Sequence, residues 1–196
     1  MDNQQATPTE AEIAWLAGIL EGEGSLSLAP QKTGDKKDDR YHKLAVHIVI
    51  YNTDGGIIGK VVEIMEKMGV SHHISERQQK PLQMEGRPSY LTRDSLFTVK
   101  VQRVRPSLHF LETLRPWLFG DKGKRVDLML KFLRRRIDTL NECGHSGTQG
   151  GFRAPYDVED WQIAKEFLEL GGRSTKMPLV ERVLNEYEQR AREMLL

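Results

Sequence analysis

Glu21 and Glu23 stand two residues apart in the segment Leu16-Ala17-Gly18-Ile19-Leu20-Glu21-Gly22-Glu23-Gly24. Hard cations such as Mg²⁺ take carboxylate and water ligands and need few protein groups. The position of these two acids gives the pair its interest. Thr9 and Glu12, after Pro8, read as a capping box that opens a helix, and the apolar spacing carries that helix to about Glu23, with Gly24 as its stop. Acids at a helix C-terminus face the negative end of the helix dipole, and a bound cation would reverse the sign of that interaction. The same helix carries Ala14, Gly18 and Gly22 at i, i+4 and i+8. That stripe of minimal side chains lets another helix backbone approach closely, while Ile13, Leu16, Ala17 and Leu20 face a core. A glycine inside a helix costs up to about 1 kcal/mol relative to alanine. Close helix packing accounts for both glycines together.

Residues 16–24 resemble the nine-residue LAGLIDADG signature of the homing endonucleases. Leu16, Ala17, Gly18 and Gly24 match it by identity, Ile19 and Leu20 by apolar character, and Glu21 and Glu23 by charge. Gly22 keeps a small residue where the signature has alanine. The resemblance extends over roughly residues 10–140, and it implies an α+β fold. That fold is an αββαββα core with a saddle-shaped antiparallel sheet, here followed by a C-terminal helical extension. It also implies a metal-dependent, site-specific DNA endonuclease. The metal, Mg²⁺ or Mn²⁺, would bind Glu23 and the backbone carbonyl of Gly22, leaving Glu21 as a solvated or interface carboxylate. Asn52 would help to position the metal-bound water, or it only begins the turn with Thr53 and Asp54. Lys122, with Lys124 as the alternative, would lie near the scissile phosphate, or each is a solvated charge in a turn. Only one such motif occurs in the chain, so the resemblance implies a homodimer joined through Ala14, Gly18 and Gly22.

The elements that must position these residues follow from periodicity. Ser25 to Ala29 alternates as a strand, and Leu44, Val46, Ile48 and Ile50 give a second strand one strongly apolar face. Asp54 caps a helix with Ile57, Val61, Ile64, Met65 and Met68 inward and Gly69 at its end. The pattern then repeats: a short strand from Val70 to Arg77 and another through Phe97, Val99 and Val101. A helix after Pro106 carries Leu108, Leu111, Arg115 and Leu118. The next, Lys124 to Leu140, turns Val126, Leu130, Leu133 and Ile137 to one side. Paired strands with short separations favour an antiparallel sheet. Residues 1–9 read as a flexible terminus, 10–141 as the endonuclease domain, 142–153 as a Gly-rich linker or loop, and 154–196 as the helical extension. That extension holds two amphipathic helices, one with Trp161, Ala164, Phe167 and Leu168, the other with Val180, Val183, Leu184, Tyr187 and Ala191.

Charge is distributed unevenly. Residues 1–29 carry five acids and no Lys or Arg, whereas residues 30–136 carry 22 Lys or Arg against 12 acids. A basic middle suits a polyanion. Strand residues on the face away from the core are the candidate DNA readers: Ser25, Ser27, Lys43, His47, Ser75, Arg77, Thr98, Lys100 and Gln102. Gln31, Lys32, Arg40 and Lys80 extend the contact from the polar loops at 31–40 and 78–93. Arg and Lys suit guanine edges and Gln suits adenine. His47 has no partner at metal-ligand spacing, and the single cysteine, Cys143, excludes both a disulfide framework and a Cys-based zinc site. No apolar run approaches a membrane span, and the N-terminus lacks an apolar signal core, so the expected setting is soluble and intracellular with no membrane partner.

Two classes of function fit these features. One is an enzyme that cuts both strands of a long, near-palindromic DNA site. The other is a binding module of the same fold: an RNA maturase, for which RNA is a partner, or a DNA-binding protein that does not cut. Glu23, Asn52 and Lys122 favour the enzyme. The start at Met1 and the lack of splicing-junction residues favour a free-standing protein over an intein-embedded one.

Overall fold

The computed structural model describes residues 7–32, 42–78, 95–142, 156–172 and 174–194. Helix α1 (Glu10–Glu23) leads into strands β1 (Gly24–Lys32) and β2 (His42–Asn52). Helix α2 (Gly55–Lys67) leads into β3 (His73–Gln78) and β4 (Ser95–Val101). Helix α3 (Val104–Leu114), a 3-10 turn (Arg115–Trp117) and α4 (Gly120–Glu142) follow, then α5 (Val158–Leu170) and α6 (Met177–Glu193). The order is the one periodicity predicts, and the sheet is antiparallel throughout, with strands in the order β1-β2-β4-β3. Among the described residues no helix is long and apolar enough to cross a membrane. The expected linker at 142–153 falls, after Glu142, outside the described residues, as do Arg40, Lys80, Cys143 and most of both polar loops.

Helix α1 starts as its sequence dictates. The Glu12 amide donates to Thr9 Oγ1 at 3.2 Å, and the Thr9 amide donates to the Glu12 carboxylate at 2.9 Å. Glu12 also accepts from Lys60 and Lys67, at 2.9 and 2.7 Å, and so ties α1 to α2. The helix ends at the expected glycine. Gly24 is extended, with φ −89°, and already belongs to β1. Its missing side chain is required for space: a Cβ there would stand 2.4 Å from the Leu20 carbonyl oxygen. Glycine thus lets the chain pass from helix to strand without a connecting loop, so the last residue of α1 stands directly at the sheet.

Leu26, Leu28, Leu44, Val46, Ile48, Ile50, Val99 and Val101 form the inner face of the sheet and share one core with Leu16, Ala17 and Leu20 of α1. The Asp54 carboxylate caps α2 by accepting from the amides of Gly56 and Ile57. That helix buries Val61, Ile64, Met65 and Met68 as expected, with Ile58 inward in place of Ile57, which is only half-buried. Gly69, at φ +67°, stops it in the left-handed region that favours glycine. Helix α3 begins two residues before Pro106 rather than after it. Proline is tolerated in a first turn, where its missing N–H leaves no bond unmade. Helix α4 starts four residues earlier than expected, at Gly120, and so includes Lys122.

The C-terminal helices close the core from the far side. Trp161, Ile163, Ala164, Phe167 and Leu168 of α5 and Val180 of α6 belong to the same apolar cluster as the sheet. Arg136 is 0% exposed, and its guanidinium donates to Asp160, itself 2% exposed, at 3.3 Å. Arg135 pairs with Asp157, Glu159 and Asp160. The Tyr156 hydroxyl donates to the Leu44 carbonyl at 3.1 Å, and the Tyr187 hydroxyl to the Tyr156 carbonyl at 2.6 Å. Arg125 of α4 donates to the Leu26 carbonyl at 2.7 Å and lies over the Phe167 ring. Removing one member of a buried ion pair strands the other, at about 3–5 kcal/mol. Asp160→Ala is therefore expected to lower the unfolding free energy, measured by urea titration, by about 3–5 kcal/mol. A loss below about 1 kcal/mol would show that Arg136 is held by other contacts.

Candidate active site and nucleic-acid interface

Glu23 is the last residue of α1 and is exposed, and none of the described groups bonds its carboxylate. Glu21 is exposed beside it. The negative end of α1 does carry a cation, but one supplied by the chain itself. The Lys122 ammonium donates to the carbonyls of Leu20, Glu21 and Gly24 at 2.7, 2.5 and 3.0 Å. All three of its protons are used, and its charge offsets the dipole that the two acids oppose. Desolvation pushes the Lys122 pKa below its ordinary range; Glu21 pulls it back up and Arg125 adds to the decrease. Lys124 points elsewhere, pairing with Asp121 at 3.0 Å on the surface. The structure thus brings Lys122, and not Lys124, to the helix end that presents Glu23.

Asn52 lies at the same end of the β1–β2 pair. Gly24 is registered with Ile50, so Tyr51 and Asn52 run on beside the end of α1. Asn52 Oδ1 accepts from the Asp54 amide at 2.8 Å, which is the turn-forming bond, and its Nδ2 protons remain for another acceptor. Among the described residues no group of three or more His, Cys, Asp or Glu side chains gathers as a metal site. The donors at the α1 end are the Glu23 carboxylate and the Gly22 carbonyl, which takes no bond from Lys122. Both are hard oxygens. They suit a cation that keeps most of its shell as water or phosphate oxygen.

The register sorts the sheet into two faces. Ser25, Ser27, Gln31, Lys43, His47, Ser75, Arg77, Thr98 and Lys100 all lie on the face opposite the core. Gln102 follows one residue after β4 and is exposed. Thr98 differs from the rest: it is 7% exposed, registered between Tyr51 and Ser75. The Lys32 side chain, like Arg40 and Lys80, is outside the described residues. Two residues join this face that were not anticipated. His73 is registered with Lys100, and Tyr51, an exposed aromatic, with Thr98. Alternation carried backward from Ser75 and forward from His47 reaches both of them. Gln31 Nε2 and His47 Nε2 stand 2.6 Å apart on the same face.

No protein-family model and no curated protein matches the chain. Solved structures do. The chain resembles the homing endonuclease I-CvuI, crystallised with its target, at 14% identity and a TM-score of 0.56, over 91% of this chain and 95% of that one. The group I intron-encoded homing endonuclease I-CeuI, complexed with DNA, gives 16% identity and a TM-score of 0.57, over 90% and 76% of the two chains. The archaeal intron-encoded homing endonuclease I-Vdi141I, also complexed with DNA, gives 14% identity and a TM-score of 0.55, over 92% and 98%. This chain has the LAGLIDADG homing-endonuclease fold. The signature-like residues 16–24 form the second half of α1 and its junction with β1, and the αββαββα order is complete. Each alignment covers about nine-tenths of the chain.

Proposed function

We propose that this chain is a site-specific double-strand DNA endonuclease that acts as a homodimer with Mg²⁺ or Mn²⁺. The observation that carries the proposal is the exposed Glu23 carboxylate, which none of the described groups bonds, held at a Lys122-capped helix end beside the polar outer face of an antiparallel sheet. Glu23, with the Gly22 carbonyl, holds the divalent cation. Bound there, the cation supplies a nucleophilic water and offsets charge on the phosphate. Lys122 fixes the carbonyls of α1 and so the direction in which Glu23 points, and it adds positive charge where a phosphate arrives. Asn52 offers its Nδ2 protons to the attacking water or to a phosphate oxygen.

The outer sheet face reads the half-site in the major groove, whose width admits a two-stranded ribbon. Lys43, Arg77, Lys100 and their neighbours supply the positive charge that phosphate demands. We assign the activity to residues 10–141, braced from behind by the helices of residues 154–196. Ala14, Gly18 and Gly22 form the contact between two copies, which brings the two Glu23 residues to one axis. A two-fold protein reads a palindromic or nearly palindromic site.

The test is cleavage of a randomised duplex library by the full chain, with sequencing of the products. Double-strand cuts within one long, nearly palindromic sequence are expected with Mg²⁺, and binding should weaken steeply with added salt. Sequence-specific binding without cleavage in either Mg²⁺ or Mn²⁺ would leave a DNA reader and remove the nuclease.

A further inference from the structure

The Gln31 amide and the His47 ring meet nitrogen to nitrogen at 2.6 Å on the outer sheet face. A contact between two nitrogens needs one donor and one acceptor. The amide nitrogen has protons and no available lone pair, so Gln31 donates and His47 Nε2 accepts. The imidazole is then neutral, with its proton on Nδ1. Its surroundings favour that form. Desolvation, then Lys100, then Lys43 hold the His47 pKa below its ordinary range. No carboxylate faces it from the described outer face of the four strands; Ser27 is the residue registered across from it.

The two side chains are not directly opposite each other. Gln31 is registered with Lys43 and His47 with Ser27, and the pair between them is Ala29 with Ala45. Only two methyl groups stand between the two longer side chains, which reach each other across them. The bond is therefore built by three registered pairs and is not a chance approach of two surface side chains.

A glutamine amide that has given one proton to a neighbour keeps one edge with both functions: Oε1 as acceptor and the second Nε2 proton as donor. That edge matches N6 and N7 of adenine, which offer a donor and an acceptor in the major groove. An amide without a neighbour can turn over, which exchanges its donor and acceptor. Resting on the DNA-binding reading above, we infer that Gln31 and His47 act as one reader, in which His47 holds the Gln31 amide in the single orientation that selects adenine. His47 is then a positioning residue for specificity, acting through Gln31.

The experiment is selection of binding sites from a randomised duplex library by the full chain, without metal-dependent cleavage, for four proteins: wild type, Gln31→Ala, His47→Ala and the double variant. Wild type is expected to prefer adenine at one position in each half-site. Gln31→Ala should lose that preference, by roughly 5- to 150-fold. His47→Ala should weaken it at the same position, and the double variant should be no worse than Gln31→Ala, as for two residues acting as a unit. A purely structural role for His47 would not move the preference at the position read by Gln31. The inference is overturned if His47→Ala leaves that preference intact, or if the two single variants alter different positions. A wild type with no sequence preference at all would overturn the DNA-reading function itself and this inference with it.

Discussion

Glu23→Gln is expected to lose cleavage by roughly a thousandfold or more in Mg²⁺ while binding the same DNA within a few-fold. Stabilisation of transition-state charge by a bound metal is worth several kcal/mol, and every 1.4 kcal/mol is a factor of ten in rate. Glutamine keeps the shape of the side chain and removes its charge, so the change acts on the proposed cation site and little else. The fold has no stake in this carboxylate: it is exposed, and none of the described groups bonds it. Removing an anion from the negative end of a helix is, if anything, favourable by about 0.3–1 kcal/mol. The expected pattern is thus an unchanged or slightly raised melting temperature together with lost activity. Glu21→Gln is the control. Its side chain is equally exposed, and the substitution is expected to leave most of the cleavage in place. Plasmid linearisation over a range of Mg²⁺ concentrations measures both variants. Cleavage by Glu23→Gln at the wild-type rate would take Glu23 out of the mechanism.

What the sequence shows of this protein is mostly local. Thr9 and Glu12 announce α1 because a capping box is completed within four residues, and Asp54 announces α2 because its carboxylate reaches the amides two and three positions on. The alternation of Leu44, Val46, Ile48 and Ile50 marks the inner face of β2, and with it the outer face that carries Lys43 and His47. The errors arise where neighbours in space decide. Ile57 and Ile58 are equally apolar, and only packing against the sheet selects Ile58 as the buried one. Pro106 looks like a boundary, yet a proline in a first turn costs nothing, so α3 begins before it. Gly24 is legible as the end of α1, but the reason for a glycine there, the crowding of Leu20, is not. The site itself shows the same division. The acids at the end of α1 are visible in one segment of nine residues. The ammonium that caps that end comes from Lys122, about a hundred positions further on, and no periodicity connects the two. Nor does composition reveal that Arg136 and Asp160, ordinary surface residue types, meet inside the core and join α5 to it.

Gly18→Leu is expected to yield a folded protein that no longer dimerises and no longer cuts both strands. The structure separates these effects. A Cβ added at Gly18 or at Gly22 meets none of the described residues within 4 Å, so neither glycine is needed for room among them. Neither stands at a positive φ, so backbone freedom does not explain them. Each instead costs α1 up to about 1 kcal/mol of helix propensity, and Gly18→Leu returns that stability to the monomer. A cost without a use inside the chain points to a use outside it. Trp15, 37% exposed on the same helix, also remains for a partner to cover. Helices packed through glycines approach to the short end of the usual 8–10 Å, and a leucine at the centre of the contact prevents that approach. One copy supplies one Glu23, and a double-strand break needs chemistry on two strands. Loss of the pairing therefore removes linear product even where the monomer still binds a half-site. Light scattering of wild type and variant, alone and on target DNA, measures the assembly, and plasmid cleavage in the same samples measures the consequence. A wild type that stays monomeric on DNA yet produces linear plasmid would refute the paired α1 helices.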